Sequence, residues 1–239
     1  MPTKSTMSSF QYSPEILRDF PHITGGIIIA QGVSNPPTPD ALQKQYLDEQ
    51  KAVRSRIGET PLSEIESINA WRRAFSAFGV SPTQYRNAAE ALLRRLTKKG
   101  DIPSINTLVD IGNLVSIRYG LPVAVVDRRD VTGSITVHYS DGTENFIELG
   151  NDETLHPDVG EVIFSDEQKS VIARRWCWRQ SASSAAKETT TDIIITVEAQ
   201  HTDAYADVQH AVGDLLELLK AYAGGTHESA ILSADHPAI

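Results

Sequence analysis

Cysteine is nearly absent: Cys177 is the only one in 239 residues, which excludes an internal disulfide and a cysteine-rich metal cluster and points to a reducing compartment. Long apolar runs are missing too. The longest, Gly25 to Ala30, is far too short to span a bilayer, and the first residues lack the charged start and apolar core of a signal peptide. A cytoplasmic protein without membrane contact is expected. Positive charge is scarce: 22 Lys and Arg against 31 Asp and Glu leave a formal charge of −9, so the chain as a whole is no electrostatic sponge for nucleic acid. Any RNA contact has to be local. No phosphate-binding loop, dinucleotide fingerprint, HExxH helix, Gly-x-Ser-x-Gly elbow or zinc-ligand spacing occurs, and the seven histidines are scattered, so neither a metal nor an organic cofactor is expected.

What is present suffices for one sizeable core: 40% of the residues are apolar, and no low-complexity linker divides the chain. Residues 1–9 read as a disordered start, 10–100 as a strand and helices packed on the core, 101–223 as the core itself and 224–239 as a flexible tail. Thr24 to Val33 reads as a strand through its Ile27-Ile28-Ile29 run. Helices are expected over about 40–57, from Thr60-Pro61 to Phe78, and from Ser81-Pro82 to about Lys98. Past residue 122 the period changes from helix to strand. Residues 133–139 and 145–149 form an expected hairpin around Asp141-Gly142; 161–164 and 170–178 form a second pair, and 191–197 an apolar strand before a helix over about 202–223. Helices first and strands later imply an α+β fold with a mixed, largely antiparallel sheet and packed helices.

The stretch from Asp101 to Asp127 organises the rest. Ser104 is placed to cap a helix that Gly120 and Pro122 end, and Val123 to Val126 follow as a buried strand. The helix reads as buried nearly all round, through Ile105, Leu108, Ile111, Leu114, Val115 and Ile117. Yet Asn106, Asp110 and Asn113 stand in one line on it at i, i+4 and i+7, and buried polar groups must find partners.

Two further places carry chemistry. In the run from Arg174 to Gln180, strand alternation places Trp176 and Trp178 on one face, with Arg175, Cys177 and Arg179 on the other. These indoles are either core anchors or a platform that stacks a base or aromatic ligand while Arg179 meets phosphate or carboxylate. Glu198 closes the apolar strand, either as a structural cap or as a carboxylate that reads a substrate amine or orients water. Basic clusters at Arg72-Arg73, at Arg94, Arg95, Lys98 and Lys99, at Arg128-Arg129 and at Arg174, Arg175 and Arg179 read singly as solvated faces, and only convergence on one surface would make an RNA site. His201, Asp203, Asp207 and His210 could be gathered by a helix turn, but His201-Thr202-Asp203 near a helix start reads first as capping chemistry, and His138 and His156 read as surface or satisfied core residues.

Ile105-Asn106, Val109-Asp110, Asn113 and Val115, followed by Gly120, Pro122 and Asp127, resemble the I-N-x-x-V-D-x-x-N-x-V … G-x-P-x-x-x-x-D pattern that opens the B3/B4 tRNA-editing domain of the bacterial phenylalanyl-tRNA synthetase beta subunit. The resemblance extends with gaps to about Ala199 and implies a free-standing relative of that domain. In the family a glutamate after an apolar strand helps to recognise the misattached amino acid, and Ile195-Thr196-Val197-Glu198 is similar to that element. The family's histidine in G-Q-P-x-H-A-F-D is replaced by Ala124, and its glycine-rich G-G-I-F-G-G segment by the Trp176 to Arg179 region. Thr202-Asp203-Ala204 repeats a family triplet but lies too near the glutamate to correspond. The resemblance implies hydrolysis of misacylated tRNA in trans, with Glu198 as the catalytic residue, Asn106, Asp110 and Asn113 forming the pocket floor, and Trp176, Trp178 and Arg179 binding substrate. The alternative is a non-catalytic module for RNA or a small amino-acid-like ligand, and a third possibility is hydrolysis of a small ester or amide unrelated to tRNA.

Overall fold

A computed structural model describes residues 9–151 and 153–239; the expected disordered start lies outside them except for Ser9. Along the chain run β1 (Phe10–Tyr12), α1 (Pro14–Asp19), β2 (Thr24–Gln31), α2 (Asp40–Ile57), a 3-10 turn (Leu62–Glu64), α3 (Glu66–Ala77), α4 (Ala88–Lys99) and α5 (Thr107–Tyr119). Then come β3 (Val123–Asp127), β4 (Ile135–Tyr139), β5 (Phe146–Ile147), β6 (Thr154–Leu155), β7 (Val162–Ser165), β8 (Val171–Arg174), β9 (Arg179–Gln180), β10 (Asp192–Ala199), α6 (Tyr205–Tyr222) and β11 (Thr226–Leu232). The fold is α+β. Among the described residues no helix is long and apolar enough to cross a membrane.

An antiparallel sheet in the order β11-β2-β10-β3 stands between two apolar layers. Because side chains alternate along a strand, β10 sends Ile193, Ile195 and Val197 to one side, where Leu108, Ile111, Leu114 and Val115 of α5 and Val208, Val212 and Leu215 of α6 cover them. Its Ile194 faces the other way, with Val126 of β3, into a core shared with Trp71, Phe75 and the second sheet. That second sheet runs β1-β4-β7-β8-β9, with β1 parallel to β4 and the other pairs antiparallel. Close approach of α5 to β3 rests on Gly112, where an added Cβ would sit 3.0 Å from Val125 Cγ2.

Several expectations are corrected. Asn106, not Ser104, caps α5: its side chain accepts from Val109 N at 3.0 Å, while the Ser104 hydroxyl donates to Asp110. Ile105 precedes the helix and is 63% exposed rather than buried. Ser81 and Pro82 form a turn, closed by Tyr85 N donating to Ser81 O, and α4 begins only at Ala88, capped by Asn87. The hairpin around Asp141-Gly142 does not form, because β1 and β7 already occupy both edges of β4. The turn is there, but Asn145 leaves it to pair with the chain beside β8, and β5 pairs with β6. The expected flexible tail is ordered: β11 pairs with β2 from Thr226↔Gln31 to Leu232↔Gly25, and Ile239 exchanges backbone bonds with Phe10.

Gly26 sets a packing limit. A Cβ there would overlap Val212 Cγ2 and come within 2.8 Å of Val197 Cγ1, so Gly26→Ala is expected to lower stability by about 1–3 kcal/mol. Gly213→Ala, on the exposed face of α6 with nothing within 4 Å, is expected to raise it by up to about 1 kcal/mol. Urea unfolding midpoints of the two variants check both signs.

Candidate functional site

Glu198 sits near the end of β10, opposite Gly25 of β2, and by alternation its side chain points with Thr196 away from the α5 side of the sheet. It is 1% exposed. Its Oε1 accepts from the Tyr12 hydroxyl at 2.6 Å and from the Trp176 indole N–H at 3.1 Å. The Trp71 indole N–H donates to its main-chain oxygen at 3.3 Å. Burial pushes the Glu198 carboxyl up from 4.5 to about 7, with the two donors opposing that rise. Burial, reinforced by the Glu198 charge, also pushes the Tyr12 hydroxyl and the Cys177 thiol well up. A thiol held protonated is a poor nucleophile.

Glycine makes the Tyr12 contact possible. A Cβ on Gly25 would land on the Tyr12 hydroxyl, so a side chain there would expel it. Nothing in its own sequence context marks Tyr12; the usable signal is the Gly25-Gly26 pair, because glycine inside a strand marks close approach of another group.

Trp176 and Trp178 do not share a strand face. β8 ends at Arg174, and Arg175 and Trp176 then adopt positive φ of 43° and 61°, the left-handed region that favours glycine. The chain turns sharply. Buried Glu161 holds the turn by accepting from Arg174 Nη2 at 2.7 Å and from Arg175 N at 2.8 Å. Trp176 is fully buried against Phe20 and Trp71. Trp178 stays half-buried at the rim with Tyr85 edge-on at 5.0 Å, and the Arg175 and Arg179 guanidinium carbons each lie 4.6 Å from its ring centroid. Arg179 also pairs with Glu148.

These residues enclose one hollow of about 70 Å³ lined by Ala88, Ala124, Thr196, Glu198, Trp176 and Cys177, with Trp178, Arg179 and Gln180 at the mouth. Trp178 and Arg179 are shared with a basic recess formed by Arg86, Arg94, Arg95, Lys98 and Lys99. The α4 cluster therefore meets Arg179 on one surface beside the hollow, while Arg174 and Arg175 turn inward to Glu161. Ala124 pairs with Thr196 in register, and both line the cavity.

Asn106, Asp110 and Asn113 are not brought to this hollow, and the expected floor is made instead by Thr196 and Glu198. The reason is the sheet: α5 packs on the face opposite Glu198. Asn106 caps α5 and donates to Ala186 O at 3.3 Å. Fully buried Asp110 accepts from Thr38 Oγ1 at 2.6 Å and Ile105 N at 2.9 Å, tying the loop before α2 to the helix start. Asn113 lies beside the Tyr46 hydroxyl. His138 is satisfied by Ser165 Oγ at 2.7 Å and Tyr139 O at 2.9 Å, and His201 meets Asp207 at 3.1 Å. Among the described residues no group of three His, Cys, Asp or Glu side chains could hold a metal ion.

Residues 70–217, from α3 into α6, match the B3/4 domain family. The chain belongs to that family. This B3/4 domain is 24% identical over 176 residues to the phenylalanine–tRNA ligase beta subunit of Shewanella oneidensis, covering 71% of this chain and 19% of that protein. It thus spans about a fifth of that relative's length. An N-terminal fragment of the phenylalanyl-tRNA synthetase beta subunit from Pyrococcus horikoshii is similar at 10% identity with a TM-score of 0.47, covering 97% of this chain and 55% of that one.

A raised carboxyl pKa has a signed consequence. Glu198 keeps its proton in the folded B3/4 domain between 4.5 and about 7 while the unfolded chain has lost it. Its contribution is therefore fully present below 4.5 and is lost as pH rises to about 7, a fall of roughly 3 kcal/mol. Unfolding free energies across this window should show the fall in the wild type and not in Glu198→Gln. In Tyr12→Phe, which removes a donor to the charged form, a ¹³C-carboxyl titration should place the Glu198 midpoint above the wild type's.

Proposed function

We propose that this B3/4 domain acts in trans on aminoacyl-tRNA, hydrolysing the ester that joins an amino acid to the terminal ribose. The observation that carries the reading is a buried carboxylate on the floor of a hollow whose mouth opens onto the α4 cations and Arg179. Local positive charge of this kind meets the phosphates of a single-stranded RNA end even on an acidic protein. The aminoacyl group then enters the hollow, where Glu198, poised near neutrality, accepts from its ammonium or hydroxyl group and orients the attacking water. Water adds to the ester carbonyl carbon, the bond to the ribose oxygen breaks, and that oxygen leaves as a hydroxyl carrying the proton. Arg179 and Trp178 guide the strand at the mouth; their mutual stacking makes them a charged rim rather than an open platform for a base.

Size narrows the substrate. Small-molecule sites commonly enclose about 300–1,000 Å³, whereas this hollow measures about 70 Å³ with Trp176 filling the space beside it. A small aminoacyl side chain fits and an aromatic one does not. The same tightness favours a second reading, a non-catalytic module that holds RNA at the mouth or a small amino-acid-like ligand in the hollow.

A panel of misacylated tRNAs with side chains graded from glycine to tyrosine separates these readings. Turnover is expected at the small end, with loss in Glu198→Ala, and Trp176→Ala should shift preference toward larger side chains by about tenfold. Arg95→Ala and Lys99→Ala should each lower the salt dependence of tRNA binding by about one charge. A panel left wholly intact, with Glu198→Ala indistinguishable from wild type, rejects hydrolysis; tRNA binding that persists then supports the module.

A further inference from the structure

A second cleft lies on the other flank of α4, between that helix, Arg72 of α3 and the loop over residues 57–63. Its volume is about 580 Å³, and Glu198 and Trp176 are not part of it. Four cationic side chains, Arg72, Arg86, Arg94 and Lys98, face it against two carboxylates, Glu59 and Glu90. On a chain with a formal charge of −9 this excess is local and concentrated. Glu90 is 4% exposed, and its Oε1 accepts from Arg72 Nη1 at 2.7 Å. Its Oε2 is buried with no hydrogen-bond partner, and Arg86 Nε, which pairs ionically with Glu90 Oε1 at 3.7 Å, likewise makes no hydrogen bond. Arg94 and Lys98 form no ion pair among the described residues.

Buried polar atoms without partners are rare and costly. A carboxylate oxygen that lacks a donor, at the wall of a cleft and beside a guanidinium that holds it by charge and not by a hydrogen bond, suits a ligand that donates to it. Free cations at the rim ask for an anion. Inorganic phosphate satisfies the cations but meets the Glu90 charge, whereas a phosphate joined to a hydroxyl- or amine-bearing body satisfies all of them.

We infer that this cleft is a nucleotide-binding site, with the phosphate held by Arg94 and Lys98 and a sugar hydroxyl or base amine donating to Glu90. The nucleotide is either free or one residue of an RNA strand. Arg86, Arg94 and Lys98 also line the basic recess at the hollow's mouth, so the two surfaces share cations, while Glu59, Glu90 and Ser63 belong to this cleft and not to that recess.

Calorimetric titration of the full chain with adenosine 5′-monophosphate, inorganic phosphate and an adenosine trinucleotide tests it. The mononucleotide, the trinucleotide or both should bind at least about tenfold more tightly than phosphate. Ser63→Trp, on the exposed loop, should abolish binding by filling the cleft without touching the core. Glu90→Gln should move the probes in opposite directions, weakening nucleotide and strengthening phosphate. Glu198→Ala should leave every affinity unchanged. Tighter binding of the trinucleotide than of the mononucleotide assigns the site to an RNA strand, and equal affinity assigns it to a free nucleotide. No binding by the folded wild type at millimolar concentration, or binding that survives Ser63→Trp, overturns the proposal.

Discussion

A carboxyl group sealed inside a protein persists only where donors replace the water it has lost. Glu198 obeys this rule by drawing three distant parts of the chain together. Tyr12 arrives from the first strand, Trp176 from the turn after β8, and β10 brings the carboxylate itself. Each partner constrains the next: Tyr12 reaches in because Gly25 has no side chain, and Trp176 reaches in because Arg175 and Trp176 accept a left-handed backbone that Glu161 holds in place. The arrangement orders the contact between the two sheets, and it leaves a small, largely apolar hollow with Thr196 and Glu198 in its wall.

The central sheet acts as a partition. One face of β10 is an aliphatic layer under α5 and α6; the other carries Ile194, Thr196 and Glu198 toward the aromatic side chains and the second sheet. Polar residues on α5 therefore serve the helix start and the loop before α2, while the candidate chemistry happens beyond the sheet. Basic side chains of α4 stand at the border, and the same helix edges both the hollow's mouth and the larger cleft beside the 57–63 loop.

Much of this was legible in the residues. The Ile27-Ile28-Ile29 run, the limits of α2, the apolar α5 and the strand leading to Glu198 follow from periodicity and local punctuation, because each is decided by near neighbours. What was not legible depends on distant ones. Asp141-Gly142 is sound turn chemistry, yet β4 already had a partner on each edge, one of them β1 from the opposite end of the chain. The polar residues past Gly224 gave no sign of pairing with β2, and the alternation in Arg174 to Arg179 was read as strand when positive φ values break it. The resemblance drew attention to Glu198, Ala124 and the Trp176 to Arg179 region. Ala124 and Trp176 each prove to line the hollow, one opening it by a methyl's small size and the other closing it by an indole's bulk.

Ile239 exchanges backbone bonds with Phe10, two positions before Tyr12. Whatever loosens Ile239 from Phe10 therefore reaches the strand that supplies a hydroxyl to Glu198, so a segment far from β10 in sequence bears on the environment of its carboxyl group.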